Sequence, residues 1–258
     1  MQTNSGAEIV VEGDVVTKVH RIGTDPETLA VRLRIAARLD DCLLAPVDTQ
    51  PQPVGDGRWS TRWPLVDTVP EDPGNLPWAQ AAALLAQLHL ALDRTEIPHG
   101  AAARVQRAVD ALPADATAVR RAADTLPEQA RQPGSAGRPH TLVHGDFHLG
   151  QLGRRLDGRW RLIDVDDLGD GDPAWDLARP AGFWAAGLIP DDDWQAFLDA
   201  YREAGGPAVP ASGDPWPVLE PFARAAVVQG AAAGTHGEHD ETQAELIAAC
   251  VRICDLGA

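Results

Sequence analysis

Residues 142–179 read LVHGDFHLGQLGRRLDGRWRLIDVDDLGDGDPAWDLAR, the densest concentration of functional side chains in the chain. The apolar run Thr141–Val143 reads as a short strand, with Asp146 just past its end. Residues 152–155 and 160–163 flank Asp157-Gly158, a hairpin dipeptide, and Asp164 stands where the second run stops. This spacing predicts that both carboxylates emerge at one edge of a single small sheet, with Gln151 on the loop between them. A hard cation such as magnesium takes oxygen ligands and keeps several waters, so a carboxylate, an amide carbonyl and a ligand's phosphates complete its shell. Asp164 and Gln151 are the candidate metal ligands, and Asp146 is the candidate proton acceptor. Phosphoryl transfer needs little more than such positioning and charge neutralisation.

Upstream, residues 8–11 and 15–20 are β-branched runs split by Glu12-Gly13-Asp14, a hairpin with Lys18 on its second strand. Thr24-Asp25-Pro26-Glu27 has capping-box spacing, and Leu29, Leu33, Ala36 and Ala37 continue a helix to about Asp40. Residues 45–77 are broken by Pro and Gly, with extended pieces expected at 58–61 and 62–66. From Trp78 the chain turns helical, with Leu84, Leu85, Leu88 and Leu92 as an apolar stripe and further helices expected at 101–112, 115–131, 190–204, 215–233 and 240–255. The pattern is α+β: a small β-rich part, residues 1–66, followed by a mainly helical part, residues 67–258.

Lys18 is the only lysine beside 21 arginines, in 258 residues of net charge −16. A compact ammonium suits a tight phosphate clamp better than a planar guanidinium. The negative charge argues against nucleic acid as a partner and permits a cationic small molecule. Neither end carries a run of about 18 apolar residues, so the expectation is a cytoplasmic protein without a membrane span, as monomer or homodimer. Cys42, Cys250 and Cys254 lack zinc-type spacing and read as buried thiols.

HGDFHLGQ followed by IDVDDLGDGDPAWDLA resembles the catalytic and metal motifs of the aminoglycoside phosphotransferase and choline kinase superfamily. The resemblance implies a protein-kinase-like two-lobe fold, here with a reduced N-terminal β lobe. It also implies transfer of the γ-phosphoryl group of ATP or GTP, with magnesium, to a hydroxyl of an aminoglycoside, amino sugar or sugar-like acceptor. Carried onto this chain, it makes Asp146 the catalytic base, Asp164 the principal magnesium ligand and Asp176 a buried brace of the catalytic loop. Gln151 stands where most of the superfamily has Asn, a variant similar to that of maltokinases. No GxGxxG follows a strand, so the nucleotide-covering loop is expected to be short or missing. Lys18 occupies the phosphate-lysine position, Glu27 is the one acid its helix offers as a partner, and residues 63–67 would be the purine-reading connector.

Other side chains carry competing readings. His144 is expected to brace the loop, His148 to face the acceptor or support the loop, and one of Asp166 and Asp167 to assist a second metal while the other is solvated. His89 reads as a satisfied core histidine, and Trp160, Trp175, Trp184 and Trp194 as core. Asp170, Asp172 and residues 191–193 form either an acidic rim for a cation or local caps. Two rival functions stand beside the kinase: an inactive nucleotide-binding relative, and a zinc hydrolase built from His140, His144, Asp146 and His148.

Overall fold

The structure is a computed structural model that describes residues 6–69, 76–236 and 240–256. Strands β1 (Glu8–Glu12) and β2 (Val15–Val19) form the expected hairpin, with Glu12 opposite Val15. Only Gly13 and Asp14 separate that pair, and Gly13 takes φ 63, so the turn has no length for a loop that covers a nucleotide. β3 (Gln52–Gly55) and β4 (Arg58–Pro64) complete an antiparallel sheet in the order β1-β2-β4-β3. The two extended pieces expected at 58–66 are thus one strand, which β2 pairs along its whole length.

Helix α1 (Pro26–Arg38) buries Leu29, Ala30, Leu33, Ile35 and Ala36. Its cap is Asp25 rather than Thr24: Asp25 accepts from the Glu27 and Thr28 N–H groups, while Thr24 Oγ1 bonds back to the Arg21 carbonyl. Pro26 has the φ of a first helical residue and lacks the donor, which places the cap on the residue just before it.

α2 (Trp78–Leu90), α3 (Ala101–Asp110), α4 (Thr117–Asp124), α6 (Asp191–Glu203), α7 (Trp216–Ala233) and α8 (Glu241–Leu256) follow the expected helical segments. Leu92 falls outside the α2 stripe, because Ala91 is already extended and Leu92 lies in solvent. α4 stops before Pro127, and the rest of the expected helix is a 3-10 turn, Glu128–Arg131. Among the described residues no helix is long and apolar enough to cross a membrane. Cys42 and Cys250 are buried free thiols, each pushed up to about 12 by burial.

Several elements break local rules, among them α7, which carries Pro221 inside the helix. α5 (Ala174–Ala185) contains Pro180 and Gly182, which read as helix breakers. Gly182 is required by packing: a Cβ there would lie 2.6 Å from the Ala223 carbonyl oxygen of α7, so the two helices meet backbone to backbone. β9 (Gly169–Gly171) pairs with β6 (Thr141–Val143), although Gly-Asp-Gly has no strand propensity. A Cβ on Gly169 would meet the His99 nitrogen at 2.5 Å, and one on Gly171 the His99 ring at 2.3 Å.

The single small sheet expected around the motif is therefore two. β7 (Leu152–Arg154) lies between β5 (Asp67–Thr68) and β8 (Trp160–Leu162), while β6 has gone to β9. Asp146 and Asp164 follow strands of different sheets, because the glycine strand competes for the edge of β6.

Filling the α5–α7 contact should be costly. Gly182→Leu is expected to lower unfolding stability by about 1–3 kcal/mol, read as a lower denaturant midpoint; an unchanged midpoint would show that the helices can separate freely.

Candidate active site

Lys18 projects from β2, with its side chain nearly buried, and its Nζ lies 2.7 Å from Asp164 Oδ1 and 2.9 Å from Asp166 Oδ2. Burial alone would push the ammonium down, but the carboxylates of Asp166 and Asp164 hold it above its ordinary value. His20, two residues on and on the same face, sets Nδ1 3.4 Å from Asp166 and Nε2 2.9 Å from Thr61 Oγ1. Desolvation pushes the Asp166 carboxyl up, yet Lys18 and His20 more than offset it and hold Asp166 well below the carboxylate range. Asp166 is thus committed to Lys18 and His20.

Asp164 has φ 62 and ψ 77, a left-handed conformation that turns the chain sharply out of β8. Gln151 ends the 3-10 turn Leu149–Gln151, and its carbonyl accepts from the Ile163 N–H at 2.9 Å. That bond, next to the Leu152–Leu162 pair, sets the Gln151 backbone opposite Ile163, one residue before Asp164. The Gln151 side-chain amide makes no hydrogen bond to another described residue, and the Asp164 carboxylate is one-third exposed. By chemistry, a carboxylate and an amide oxygen are the hard oxygen donors that magnesium takes.

Asp146 lies behind Gly145, whose φ of 84 and whose approach to the Asp167 carbonyl leave no room for a side chain: a Cβ would stand 2.4 Å from that oxygen. Burial pushes the Asp146 carboxyl up, Arg104 and Arg179 pull it down, and Asp164 adds an upward push; the net is a raised value. An Arg104 guanidinium nitrogen lies 3.0 Å from Asp146 Oδ2, and the same nitrogen bonds Asp167.

Beneath this loop, Asp176 is fully buried. Its Oδ2 accepts from the His144 N–H at 2.7 Å and pairs with His89 Nε2 at 2.9 Å; its Oδ1 accepts from the Gly145 N–H at 2.8 Å. Burial opposes its charge, but the bond and charge of His89 and the Gly145 N–H hold the carboxyl below its ordinary value. His89 Nδ1 meets the Tyr201 hydroxyl at 2.7 Å, and that oxygen accepts from the Ala208 N–H. His89 is the satisfied core residue its stripe suggested, and it also extends the brace.

His144 Nε2 lies 2.8 Å from the Ile163 carbonyl, tying the catalytic loop to the residue before Asp164. His148 Nδ1 accepts from the Gly150 N–H, and burial with Arg179, His144 and Arg104 nearby pushes it down to about 3, so it is a neutral loop support. His140 sits beside Gly134, where a Cβ would lie 3.3 Å from its ring. Among the described residues no group of three His, Cys, Asp or Glu side chains is placed to hold a metal ion. Asp170 accepts from the Thr95 and Glu96 N–H groups and Asp172 pairs with Arg138, so neither forms an acidic rim.

Glu27 is exposed on the first turn of α1, and the ion pairs of Lys18 run to Asp164 and Asp166 instead. The reason is its position: a first-turn side chain points off the helix end, whereas Arg32, further along, reaches the carbonyls of Leu168 and Asp166. The expected Lys18–Glu27 pair is absent.

A family model described as the phosphotransferase enzyme family matches residues 8–221. The chain belongs to this family. As a phosphotransferase acting on hydroxyl-bearing substrates, it shares its fold with solved structures of low identity. An amicoumacin kinase, hAmiN, in complex with AMP-PNP, Ca2+ and Ami superposes with TM-score 0.64 at 15% identity, over 97% of this chain and 88% of that one. The choline kinase LicA from Streptococcus pneumoniae gives 0.62 at 14%, over 98% and 91%. Aminoglycoside phosphotransferase APH(3'')-Id from Streptomyces rimosus, with ADP and streptomycin, gives 0.56 at 18%, over 88% and 94%. No curated protein matches the sequence. The architecture of the phosphotransferase is accordingly the protein-kinase-like one, with four strands in its N-terminal sheet.

Four site residues escaped the sequence reading: His20, Arg32, Arg104 and Arg179. His20 was findable as the i+2 neighbour of Lys18 on one strand face. Arg179, one turn past Asp176, had a helical-spacing signal, whereas Arg32 and Arg104 had none among so many arginines.

Removing the brace should show in acid titration. Asp176→Ala strands three buried donors and is expected to cost about 3–5 kcal/mol at pH 7. Because the folded value is depressed, this stabilisation is complete above the ordinary 3.8 and is lost as pH falls through the folded value. The difference in denaturant midpoint between parent and variant should therefore shrink in acid; a constant difference would contradict an ionised Asp176. Glu27→Ala is expected to leave nucleotide affinity unchanged, whereas a clear loss by calorimetry would restore its pairing with Lys18.

Proposed function

We propose that this phosphotransferase is a small-molecule kinase that moves the γ-phosphoryl group of ATP, or GTP, onto a hydroxyl of a small acceptor. The observation that supports the reading is the ion-paired cluster of Lys18, Asp164 and Asp166, with the loop that carries Asp146 tied through His144 to Ile163, the residue before Asp164. Residues 1–66 then serve as the nucleotide lobe and residues 67–258 as the catalytic lobe, with residues 63–67 along the purine. The complexes of AMP-PNP with the amicoumacin kinase and of ADP with APH(3'')-Id support a nucleotide in this fold.

In this mechanism the Lys18 ammonium, held charged by its carboxylates, exchanges part of that pairing for phosphate oxygens. Bound magnesium would neutralise charge on the phosphates, with Asp164 and Gln151 as its protein donors. Asp146, desolvated and raised above an ordinary carboxylate, accepts the hydrogen bond of the acceptor hydroxyl and takes its proton late in the transfer. The His144 and Asp176 bonds hold Asp146 against the turn that carries Asp164. Such a kinase works where ATP is made, in the cytoplasm.

Nucleotide consumption with magnesium, over a panel of sugars, amino sugars, sugar acids and aminoglycosides, tests this reading. Asp146→Asn is expected to lower turnover by about 10²–10⁴-fold while nucleotide affinity persists, and Asp164→Ala to weaken binding of the magnesium nucleotide. Full turnover in the first variant, or unchanged magnesium dependence in the second, would reject these roles.

A further inference from the structure

The charge of −16 suggests a cationic acceptor, but the surroundings of Asp146 have the opposite sign. Arg104 on α3 lies 3.0 Å from the Asp146 carboxylate, and its Nε is buried with no hydrogen-bond acceptor. Arg107 stands one turn further along α3, exposed and without a carboxylate partner among the described residues. Arg21, just past the end of β2, is near enough that it and Arg104 both disfavour the Arg107 charge, after partial burial. From α5 comes Arg179, which rests over the Phe183 ring at 5.4 Å and has no carboxylate ion pair either. Facing this group are Asp146 and Asp167, both already shared by Arg104, while Asp164 and Asp166 are turned to Lys18. The surroundings of Asp146 therefore hold more guanidinium charge than the carboxylates among them neutralise.

We propose that the acceptor carries an anionic group, a carboxylate or a phosphate ester, which Arg104, Arg107 and Arg179 hold while its hydroxyl lies on Asp146. A planar guanidinium binds either group through two parallel bonds, and the Arg104 Nε has no acceptor within the fold to fix that side chain where it stands. The anion also draws Arg104 off Asp146, freeing the Oδ2 that the hydroxyl needs. The hydroxyl oxygen then bonds to the γ-phosphorus as the bridging bond to the β-phosphate breaks; the proton passes to Asp146 and the nucleoside diphosphate leaves. A polycationic acceptor would place ammonium groups against four guanidinium groups. The transfer step rests on the kinase reading, whereas the anion site stands by itself.

The test is calorimetric binding, without nucleotide, of compound sets that share a skeleton, such as glucose, glucosamine, gluconate and glucose 6-phosphate. The anionic members should bind at least about tenfold more tightly than the neutral and cationic ones. Arg107→Glu, at an exposed and unpaired position, should abolish that preference, and Arg179→Gln should weaken it. Gluconate and glucose 6-phosphate separate a carboxylate from a phosphate as the recognised group. Equal affinity across each set, preference for the amine, or no measurable anion binding overturns the proposal. In the nucleotide-consumption panel, turnover confined to neutral or cationic acceptors overturns it and leaves the kinase reading intact. Anion binding that depends on Arg107, without turnover of any compound, supports the anion site and counts against the kinase reading.

Discussion

A buried carboxylate with no solvent to stabilise it holds the site together. Asp176 remains charged in the interior because two backbone N–H groups of the catalytic loop and the His89 ring point at it. The same bonds run the other way: the His144 and Gly145 amides are locked to α5, so Asp146 hangs from a loop whose backbone cannot slide. Behind His89, Tyr201 and the Ala208 amide continue the chain of hydrogen bonds into α6 and the segment after it. A loop of short-range turns thus gains the rigidity of a helical core, which is what alignment of a reacting hydroxyl requires.

The second constraint joins the sheet to the helical part. Lys18 and His20 reach from β2 to Asp164 and Asp166, and Arg32 from α1 bonds the carbonyls around Leu168. Polar contacts of this kind can exchange partners where packed apolar surfaces cannot. The carboxylates hold the Lys18 ammonium charged at this junction. The β1–β2 turn has two residues and leaves no length for a loop.

Much of this was legible because local chemistry repeats. The hairpin with Lys18, the start of α1 to within one residue and the leucine-rich α2 follow from strand alternation, helical period and turn residues, whereas the motif from His144 to Asp176 was read through its family resemblance. What stayed illegible had its cause elsewhere in the chain. β9 is a strand because Thr141–Val143 needs a partner and glycine alone fits against His99. α5 survives Pro180 because α7 packs against the backbone at Gly182, a tertiary gain that outweighs local propensity. Arg104 has neighbours in sequence that say nothing of Asp146, forty-two residues away in the chain and one guanidinium bond away in space.

The amino-acid sequence by itself determined the family, the α+β class and the identity of the oxygen-bearing residues, since these depend on residue type and short spacing. Tertiary structure alone decided that Lys18 pairs with Asp164 and Asp166 rather than Glu27, that two sheets and not one carry the carboxylates, and that arginines surround Asp146 in an acidic protein. Net charge sums over the whole surface, whereas the field in a cleft is set by the few groups whose separation is ångströms and whose solvent has been removed.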